Sequence, residues 1–149
     1  MIELITAIVI ISIISVMAGM GLVQIAKGYY MAKTSTVAAQ QAQIALARMV
    51  KELSAVQAIS ASTATSITYT RDGVSHTLAW TAADQPLTLD GDTLIDKVQS
   101  FSLTYYTYNY LTRAFTAGSY SSATAAIELT FQLKGYGDTP LIFIERVVI

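Results

Sequence analysis

The sequence of 149 residues contains no cysteine, one histidine and two prolines, and only 13% of its residues are charged. The absence of cysteine excludes a disulfide framework, a zinc–thiolate site and a cysteine nucleophile. The single histidine excludes a metal site built from several histidines. Nine basic residues nearly balance ten acidic residues, so the sequence lacks the electrostatic footprint of a nucleic-acid-binding protein.

The shortage of charge is concentrated at the start of the chain, where Glu3 is the only charged residue before Lys27. Residues 4–26 form an apolar run that is long enough to cross a bilayer, since about 20 residues span the roughly 30 Å hydrocarbon core as a helix. Lys27, Tyr29 and Tyr30 follow the run and form the basic and aromatic edge that is typical of a membrane interface. A cleaved secretory signal is disfavoured, because the start is acidic and the apolar core is longer than about 7–15 residues.

Residues 31–59 continue the helical pattern, because they include no proline or glycine and are rich in Ala, Gln and Leu. Apolar residues recur there at three- and four-residue spacing, which predicts an amphipathic helix. These residues are Ile44, Leu46, Met49, Val50, Leu53 and Val56. We expect Arg48, Lys51 and Glu52 on the opposite side. The isolated Gly28 is tolerable in a helix, so one continuous helix is expected to end near residue 59.

The rest of the chain has the pattern of a β-sheet. Asp72-Gly73 and Asp90-Gly91 each stand between apolar arms and predict β-hairpins. Residues 98–108 and 127–133 alternate, and residues 141–148 form a final apolar strand. The alternating apolar residues are Phe101, Leu103 and Tyr105 in the first strand, and Ile127, Leu129, Phe131 and Leu133 in the second. The pattern predicts an antiparallel sheet with one face covered, most simply by the second half of the helix.

These elements predict an α+β fold in which a long N-terminal helix, half transmembrane and half amphipathic, packs on a C-terminal antiparallel sheet. The expected segments are residues 1–27 for the apolar half of the helix, 28–59 for the amphipathic half and 60–149 for the sheet. Residues 110–124 are small and polar and predict an exposed loop of about fifteen residues, a length that is usually functional or mobile. The loop is a candidate contact with a neighbour, and plain disorder is an equal alternative.

The sequence offers little for catalysis or metal binding. His76 falls on a predicted strand and is interpreted as an ordinary sheet residue. Three aspartates are interpreted as turn residues, because they lack the spacing and the closing glutamate of an EF-hand. They are Asp90, Asp92 and Asp96. No nucleophile elbow or Gly-rich phosphate loop is present, so we expect no catalytic residues, no metal and no cofactor. The clustered Tyr105, Tyr106, Tyr108 and Tyr110 are expected to pack and to form cross-strand pairs.

Glu3 is an unusual residue for the head of an apolar helix. Insertion scales assign an acid in mid-membrane a cost of roughly 2.5–3.5 kcal/mol. One interpretation places Glu3 in the headgroup region, where the positive end of the helix dipole favours a carboxylate. The other gives Glu3 a cationic partner, for which the best candidate is the free α-amino group of a neighbouring copy.

The N-terminus Met1-Ile2-Glu3-Leu4-Ile5, followed by a β-branched apolar run, resembles the processed N-terminus of type IV pilins and type II secretion pseudopilins. In that family a prepilin peptidase cuts after a glycine and methylates the new terminal amine. The family glutamate is the fifth processed residue, whereas here it is the third, so two processed residues are expected to be missing from the sequence. The resemblance implies that Glu3 pairs with the N-terminal amine of an adjacent subunit.

Two departures from the family pattern concern the helix and the disulfide. Many pilins carry a helix-breaking proline where this chain has Met20, which Gly19 and Gly21 flank. Each glycine weakens a helix by about 1 kcal/mol relative to alanine, so this segment is a candidate for local melting in a filament. Close packing of membrane helices through small residues is an equal alternative. The disulfide that closes a C-terminal loop in many major pilins is missing.

Residues 43–60 and 94–101 resemble stretches of minor pseudopilins. The resemblance implies a structural, non-enzymatic subunit that polymerises with itself or with other pilins through its apolar helix. Its expected partners are the prepilin peptidase and the assembly machinery, with no nucleic acid. Its expected location is the inner membrane before assembly and an extracellular or periplasmic filament afterwards. The alternative is a membrane-tethered minor pilin that acts as a tip adhesin or a DNA-uptake module and uses residues 110–124 for contact.

Overall fold

A computed structural model describes residues 2–149 and begins with one long helix, α1 (Ile2–Ser54). The 53 residues of α1 extend about 80 Å at 1.5 Å per residue. The helix passes through Gly28 without interruption, as the sequence predicts. One long N-terminal helix packed on an antiparallel sheet confirms the predicted α+β class.

The helix ends at Ser54, which corrects the predicted end near residue 59. The last turn tightens, with the Ala55 N–H donating to the Glu52 carbonyl at 3.3 Å and the Val56 N–H donating to the Leu53 carbonyl at 3.3 Å. The chain then becomes strand β1 (Ala58–Ser62), which pairs with the next strand. The pairing of β1 therefore overrides the helical composition of these residues, as tertiary context often overrides propensity.

The sheet is antiparallel and contains eight strands in the order β1-β2-β3-β4-β5-β7-β8, with β6 pairing only with β5. The strands after β1 are β2 (Ser66–Arg71), β3 (Val74–Ala79), β4 (Gln85–Leu89), β5 (Asp92–Asn109), β6 (Ala114–Gly118), β7 (Thr124–Lys134) and β8 (Pro140–Val148). A short 3₁₀ turn (Tyr136–Asp138) precedes β8. We refer to residues 58–149 as the sheet domain.

Strand β5 is the centre of the sheet because it pairs with three other strands. β7 pairs with one edge of β5, while β4 and β6 share the opposite edge at the two ends of β5. Between β4 and β6 the Leu103 N–H donates to the Ala64 carbonyl in the β1–β2 turn at 2.7 Å. The turn therefore satisfies a backbone group that neither short strand reaches.

Both predicted Asp-Gly hairpins are present. The φ angles are +51° at Asp72 and +78° at Gly73, and +56° at Asp90 and +87° at Gly91. Positive φ at both central residues is the signature of the type I′ turn that suits the twist of a two-residue hairpin. The turn chemistry therefore defines the β2–β3 and β4–β5 connections.

The predicted loop at residues 110–124 is wrong in its centre, because Ala114–Gly118 form β6 and pair with the end of β5. The tip of this hairpin is held by the Asn109 side chain, whose Oδ1 accepts the Leu111 N–H at 2.9 Å and the Thr112 N–H at 3.2 Å. All five residues of β6 are exposed. A strand without a buried face has no alternating apolar pattern, so the sequence offers no signal for it.

The core lies between the second half of α1 and one face of the sheet. The alternating residues predicted for β5 and β7 are all buried there. The buried residues of α1 are Ala42, Ala45, Met49 and Leu53. Ile44 was expected in this stripe but is 72% exposed, because Ala42 and Ala45 bring a neighbouring face of the helix onto the sheet. The helix therefore packs on its own sheet over about three turns.

Candidate functional site: the exposed apolar helix

Every described residue of α1 from residue 2 to residue 34 is exposed, and we call this segment the rod. The sheet domain buries none of these residues, and the isoleucines, leucines and valines from Ile2 to Ile25 are all at least 51% exposed. The helix is long and apolar enough to cross a membrane by length and composition. About 20 of its residues suffice for the hydrocarbon core of a bilayer.

Three hydroxyl groups in the apolar run, residues 4–26, are satisfied within the helix itself. Thr6 donates to the Ile2 carbonyl at 2.9 Å, Ser12 donates to the Ile8 carbonyl at 2.8 Å, and Ser15 donates to the Ile11 carbonyl at 2.8 Å. An unpaired polar group in hydrocarbon costs roughly several kcal/mol of free energy, whereas a hydrogen-bonded hydroxyl group avoids this cost. These three residues are therefore compatible with an apolar environment.

Glu3 lies in the first turn of α1 and is exposed. Its carboxylate has no cation within ion-pair distance among the residues that the structure describes. The positive end of the helix dipole favours an acid at this position by about 0.3–1 kcal/mol. Water, lipid headgroups or a cation can offset the remaining cost of a carboxylate at the end of an apolar rod.

The helix is continuous through Gly19, Met20 and Gly21. A Cβ atom added at either glycine has no neighbouring heavy atom within 4 Å, and the Met20 side chain is 66% exposed. Neither glycine is therefore required by a close approach within the described chain. This segment has two interpretations, local melting in an assembly and close packing of helices. Both concern contacts with other molecules.

Lys27, Tyr29 and Tyr30 lie where the charge-free run ends, and all three are exposed. The two tyrosine rings are 6.1 Å apart and nearly perpendicular, at 72°. Amphipathic rings and a flexible ammonium are the side chains that occupy a membrane–water boundary. These residues mark the end of the rod that is closer to the sheet domain.

In the sheet domain, the single histidine of the sequence forms a side-chain hydrogen bond with an aspartate. His76 Nδ1 lies 2.6 Å from Asp90 Oδ2, while Asp90 Oδ1 accepts the Thr77 N–H at 2.7 Å. These hydrogen bonds hold the pKa of the Asp90 carboxyl below its usual value, with that from His76 the larger cause. Asp90 is therefore a turn residue that also ties two hairpins together. Asp92 and Asp96 were also expected to be turn residues, but both lie in strand β5. No group of three metal-ligating side chains occurs among the described residues.

The predicted tyrosine cluster divides between the two faces of the sheet. Tyr105 is buried, its hydroxyl donates to the Thr63 carbonyl at 3.1 Å, and burial raises its pKa. On the other face, the Arg146 guanidinium lies 4.1 Å from the centre of the Tyr106 ring and 2.6 Å from the Glu128 carboxylate. Phe115 of β6 packs against Tyr108, with the two ring centres 5.0 Å apart. The packing role expected for these tyrosines is present.

A cleft of about 700 Å³ separates the helix from the base of the sheet at the end of the rod. Tyr30 and Lys33 line it from α1, and Lys97 and Lys134 line it from β5 and β7. Sequence reasoning missed this cleft. Its lysines come from three distant parts of the chain and form no spacing pattern.

Comparison with known proteins gives no match, since no family model, no curated protein and no solved structure resembles the chain closely enough to be counted.

Proposed function

We propose that the protein is a structural subunit, a pilin or pseudopilin, that polymerises through its rod into a type IV pilus-like or type II secretion-like filament. The observation that carries the proposal is that residues 2–34 are exposed along their whole length, with Glu3 in the first turn as their only charge before Lys27. Such a surface requires lipid or other apolar helices around it. The resemblance of the N-terminus to the processed pilin start supports the second of these environments, a bundle of apolar helices, as the one in which the rod functions.

Assembly in this proposal exchanges one apolar environment for another. Lipid tails are as apolar as leucine, so moving a helix from lipid to a bundle has little hydrophobic driving force. Packing and polar pairing must then define the register. Ser12, Ser15 and Gly19 recur at three- and four-residue spacing and share one face of the helix, where small residues allow close helix packing.

Glu3 supplies the polar pairing. In the proposed filament its carboxylate meets the terminal amine of a neighbouring subunit, so that neither charge remains unpaired in an apolar surrounding. The subunit resides in the inner membrane before assembly, with the sheet domain outside the cytoplasm, and a prepilin peptidase prepares the amine. The filament that results is extracellular or periplasmic.

The experiment replaces Glu3 with glutamine, which keeps the shape and removes the charge. We expect Glu3→Gln to enter the membrane normally in cell fractionation, since the change favours insertion. Incorporation into filaments, counted by electron microscopy, should fall at least tenfold, because the terminal amine of the neighbouring subunit is left as an uncompensated charge in an apolar surrounding, at a cost above the roughly 1.4 kcal/mol that tenfold represents.

Glu145→Gln is the matched control, since Glu145 is an exposed residue of the sheet domain with no ion pair among the described residues. It should assemble as the unchanged protein does. Normal incorporation of Glu3→Gln would remove Glu3 from the mechanism, and a full-length protein never found in any assembly would refute the proposal itself.

A second candidate function is a membrane-tethered binding module, such as a tip adhesin or a DNA-uptake minor pilin. It is favoured by the tip of the β5–β6 hairpin, where Tyr110 is 85% exposed and Leu111 is 95% exposed, more than any other large apolar side chain described. The double substitution Tyr110→Ser with Leu111→Ser separates the candidates without removing β6 from the sheet. Lost surface binding with intact filaments favours the module, while lost filaments favour the structural subunit.

A further inference from the structure

The cleft between α1 and the base of the sheet has the size and position of a ligand site. Its volume of about 700 Å³ lies within the roughly 300–1,000 Å³ of small-molecule sites. One wall is the helix around Tyr30 and Val37, and the other is formed by β5 and β7 with Leu133. The walls combine apolar surface with charged groups, as expected of a site for an amphipathic ligand.

The cleft lies at the level of the membrane surface if residues 4–26 span the bilayer. Lys33 comes six residues after Lys27, which is about 9 Å along the helix axis. The headgroup layer adds roughly 5–7 Å to each side of the hydrocarbon core. Side chains of a helix lean toward its N-terminus, so the Lys33 ammonium leans back toward that layer.

Two of the lysines in the cleft have no acidic partner in the part of the chain that the structure describes. Neither Lys33 nor Lys97 has a carboxylate within ion-pair distance among the described residues, whereas Lys134 lies 3.8 Å from both Asp84 and Asp138. The lining includes one opposing acid, Asp96. Unpaired ammonium groups beside an apolar wall favour an anionic ligand with apolar chains.

The backbone at Lys97 is held in an unusual conformation. β5 carries one extra residue between Ile95 and Val98 relative to β4, which forms a β-bulge, and Lys97 within it has a φ angle of +56°. Glycine is the residue suited to this conformation. A β-bulge re-aims a side chain, and here it places a lysine on the cleft wall at a position that a lysine does not favour.

We propose that this cleft binds the phosphate of an anionic phospholipid headgroup, with Lys33 and Lys97 as its ammonium ligands. The apolar wall around Val37 and Leu133 then contacts the upper part of the acyl chains. The inference depends on the membrane anchoring of the proposed function but not on polymerisation. The bound lipid fixes the height of the sheet domain above the bilayer.

The experiment uses the full-length protein in detergent micelles with equal amounts of phosphatidylglycerol and phosphatidylcholine, and native mass spectrometry counts the lipids retained. We expect a preference for phosphatidylglycerol in the unchanged protein. Lys33→Gln and Lys97→Gly should each lower that preference about fivefold, the effect of one basic residue near an anionic surface. Lys97→Gly also suits the backbone, so the loss occurs without weakening the fold.

Two controls separate the cleft from general attraction. Lys51→Gln removes an exposed lysine near the far end of α1 and should leave the preference unchanged. Lys27→Gln removes a lysine near the membrane that does not line the cleft and should lower the preference less than Lys33→Gln does. Asp96→Asn should raise it, because it removes the opposing acid.

The proposal is overturned if the unchanged protein retains both lipids equally, or if Lys27→Gln lowers the preference as much as Lys33→Gln does. It is also overturned if inorganic phosphate at the same concentration as the lipid displaces it and so identifies a site for the free ion. Flotation with vesicles tests the anchoring separately. A protein that does not float overturns the anchoring and this inference together, whereas a protein that floats without lipid preference overturns only this inference.

Discussion

The Arg71 guanidinium lies 2.6 Å from the Glu52 carboxylate and joins the last turn of α1 to strand β2. The side chains are 27% and 17% exposed, and the Tyr69 hydroxyl also lies 3.5 Å from the same carboxylate oxygen. The hydrogen bond to Glu52 raises the pKa of Arg71, and burial raises the pKa of Tyr69. Glu52 was expected on the side of the helix away from the sheet, so this contact corrects that expectation.

We predict that Glu52→Gln lowers the free energy of unfolding by about 1 kcal/mol, because a partly buried charge-assisted hydrogen bond is replaced by a neutral one. Thermal unfolding of the full-length protein in micelles, followed by near-UV circular dichroism, measures the change. Lys51→Gln is the control on the adjacent exposed position. Equal melting temperatures for the two variants would contradict a stabilising contact.

Met49→Ala should weaken the docking of the helix on the sheet. Met49 is 2% exposed, and truncating a buried methionine costs about 2–5 kcal/mol through lost burial and the cavity that remains. Ile44→Ala is the control, because Ile44 is 72% exposed and its truncation should change stability by less than about 0.5 kcal/mol. If the two variants unfold alike in denaturant, the observed face of the helix is not the packed one.

Asp90 makes the folding stability of the sheet domain depend on pH in the acid range. Its pKa is lower in the folded state than its usual value, mainly because of the hydrogen bond with His76. A group whose folded pKa is depressed stabilises the fold above its unfolded pKa, and this contribution is lost as the pH falls through the folded pKa. The stability of the unchanged protein should therefore decrease below about pH 4 more steeply than that of Asp90→Asn.

Asparagine suits this test because it tolerates the positive φ at Asp90. Melting temperatures measured across acid pH give the comparison. The effect should be small, since the Asp90 side chain is 43% exposed and solvent screens its interactions. Asp92→Asn is the control at an exposed position. Parallel pH curves for the unchanged protein and Asp90→Asn would contradict the linkage.

Met20→Pro tests the melting of the segment between Gly19 and Gly21. A proline inside a helix costs about 3 kcal/mol or more, but this cost disappears if the assembled helix is already broken there. We expect Met20→Pro to enter filaments, and Ile13→Pro, which lies in an uninterrupted part of the rod, to fail. Electron microscopy counts the filaments. Failure of both variants would favour close packing of a continuous helix.

Features that depend on neighbouring residues were predictable from the sequence. The apolar run, the Asp-Gly turns and the alternation in β5 and β7 each follow from local chemistry, and the structure contains all of them. The helix end and the strand β1 were not predictable, because residues 58–62 (AISAS) have no strand pattern and become a strand only by pairing with β2. The same reason applies to β6.

Some features of the candidate site were likewise predictable from the sequence, and others were not. The rod and Glu3 can be identified from the sequence, since charge and hydropathy along a single helix define them. The cleft cannot be identified from the sequence, because Lys33, Lys97 and Lys134 become neighbours only when the helix and two strands meet. The Glu52–Arg71 contact is likewise a product of the register between α1 and β2.

Residues 2–34 are exposed, whereas the buried residues of α1 lie between Ala42 and Leu53, so the two parts of the helix are under different selection. Amino-acid changes in the apolar run, residues 4–26, are constrained mainly by lipid and by the helices that lie alongside it. Changes between Ala42 and Leu53 are filtered by the chain's own sheet. The two ends of a single uninterrupted helix can therefore drift at different rates, with the boundary at the point where the sheet first covers it.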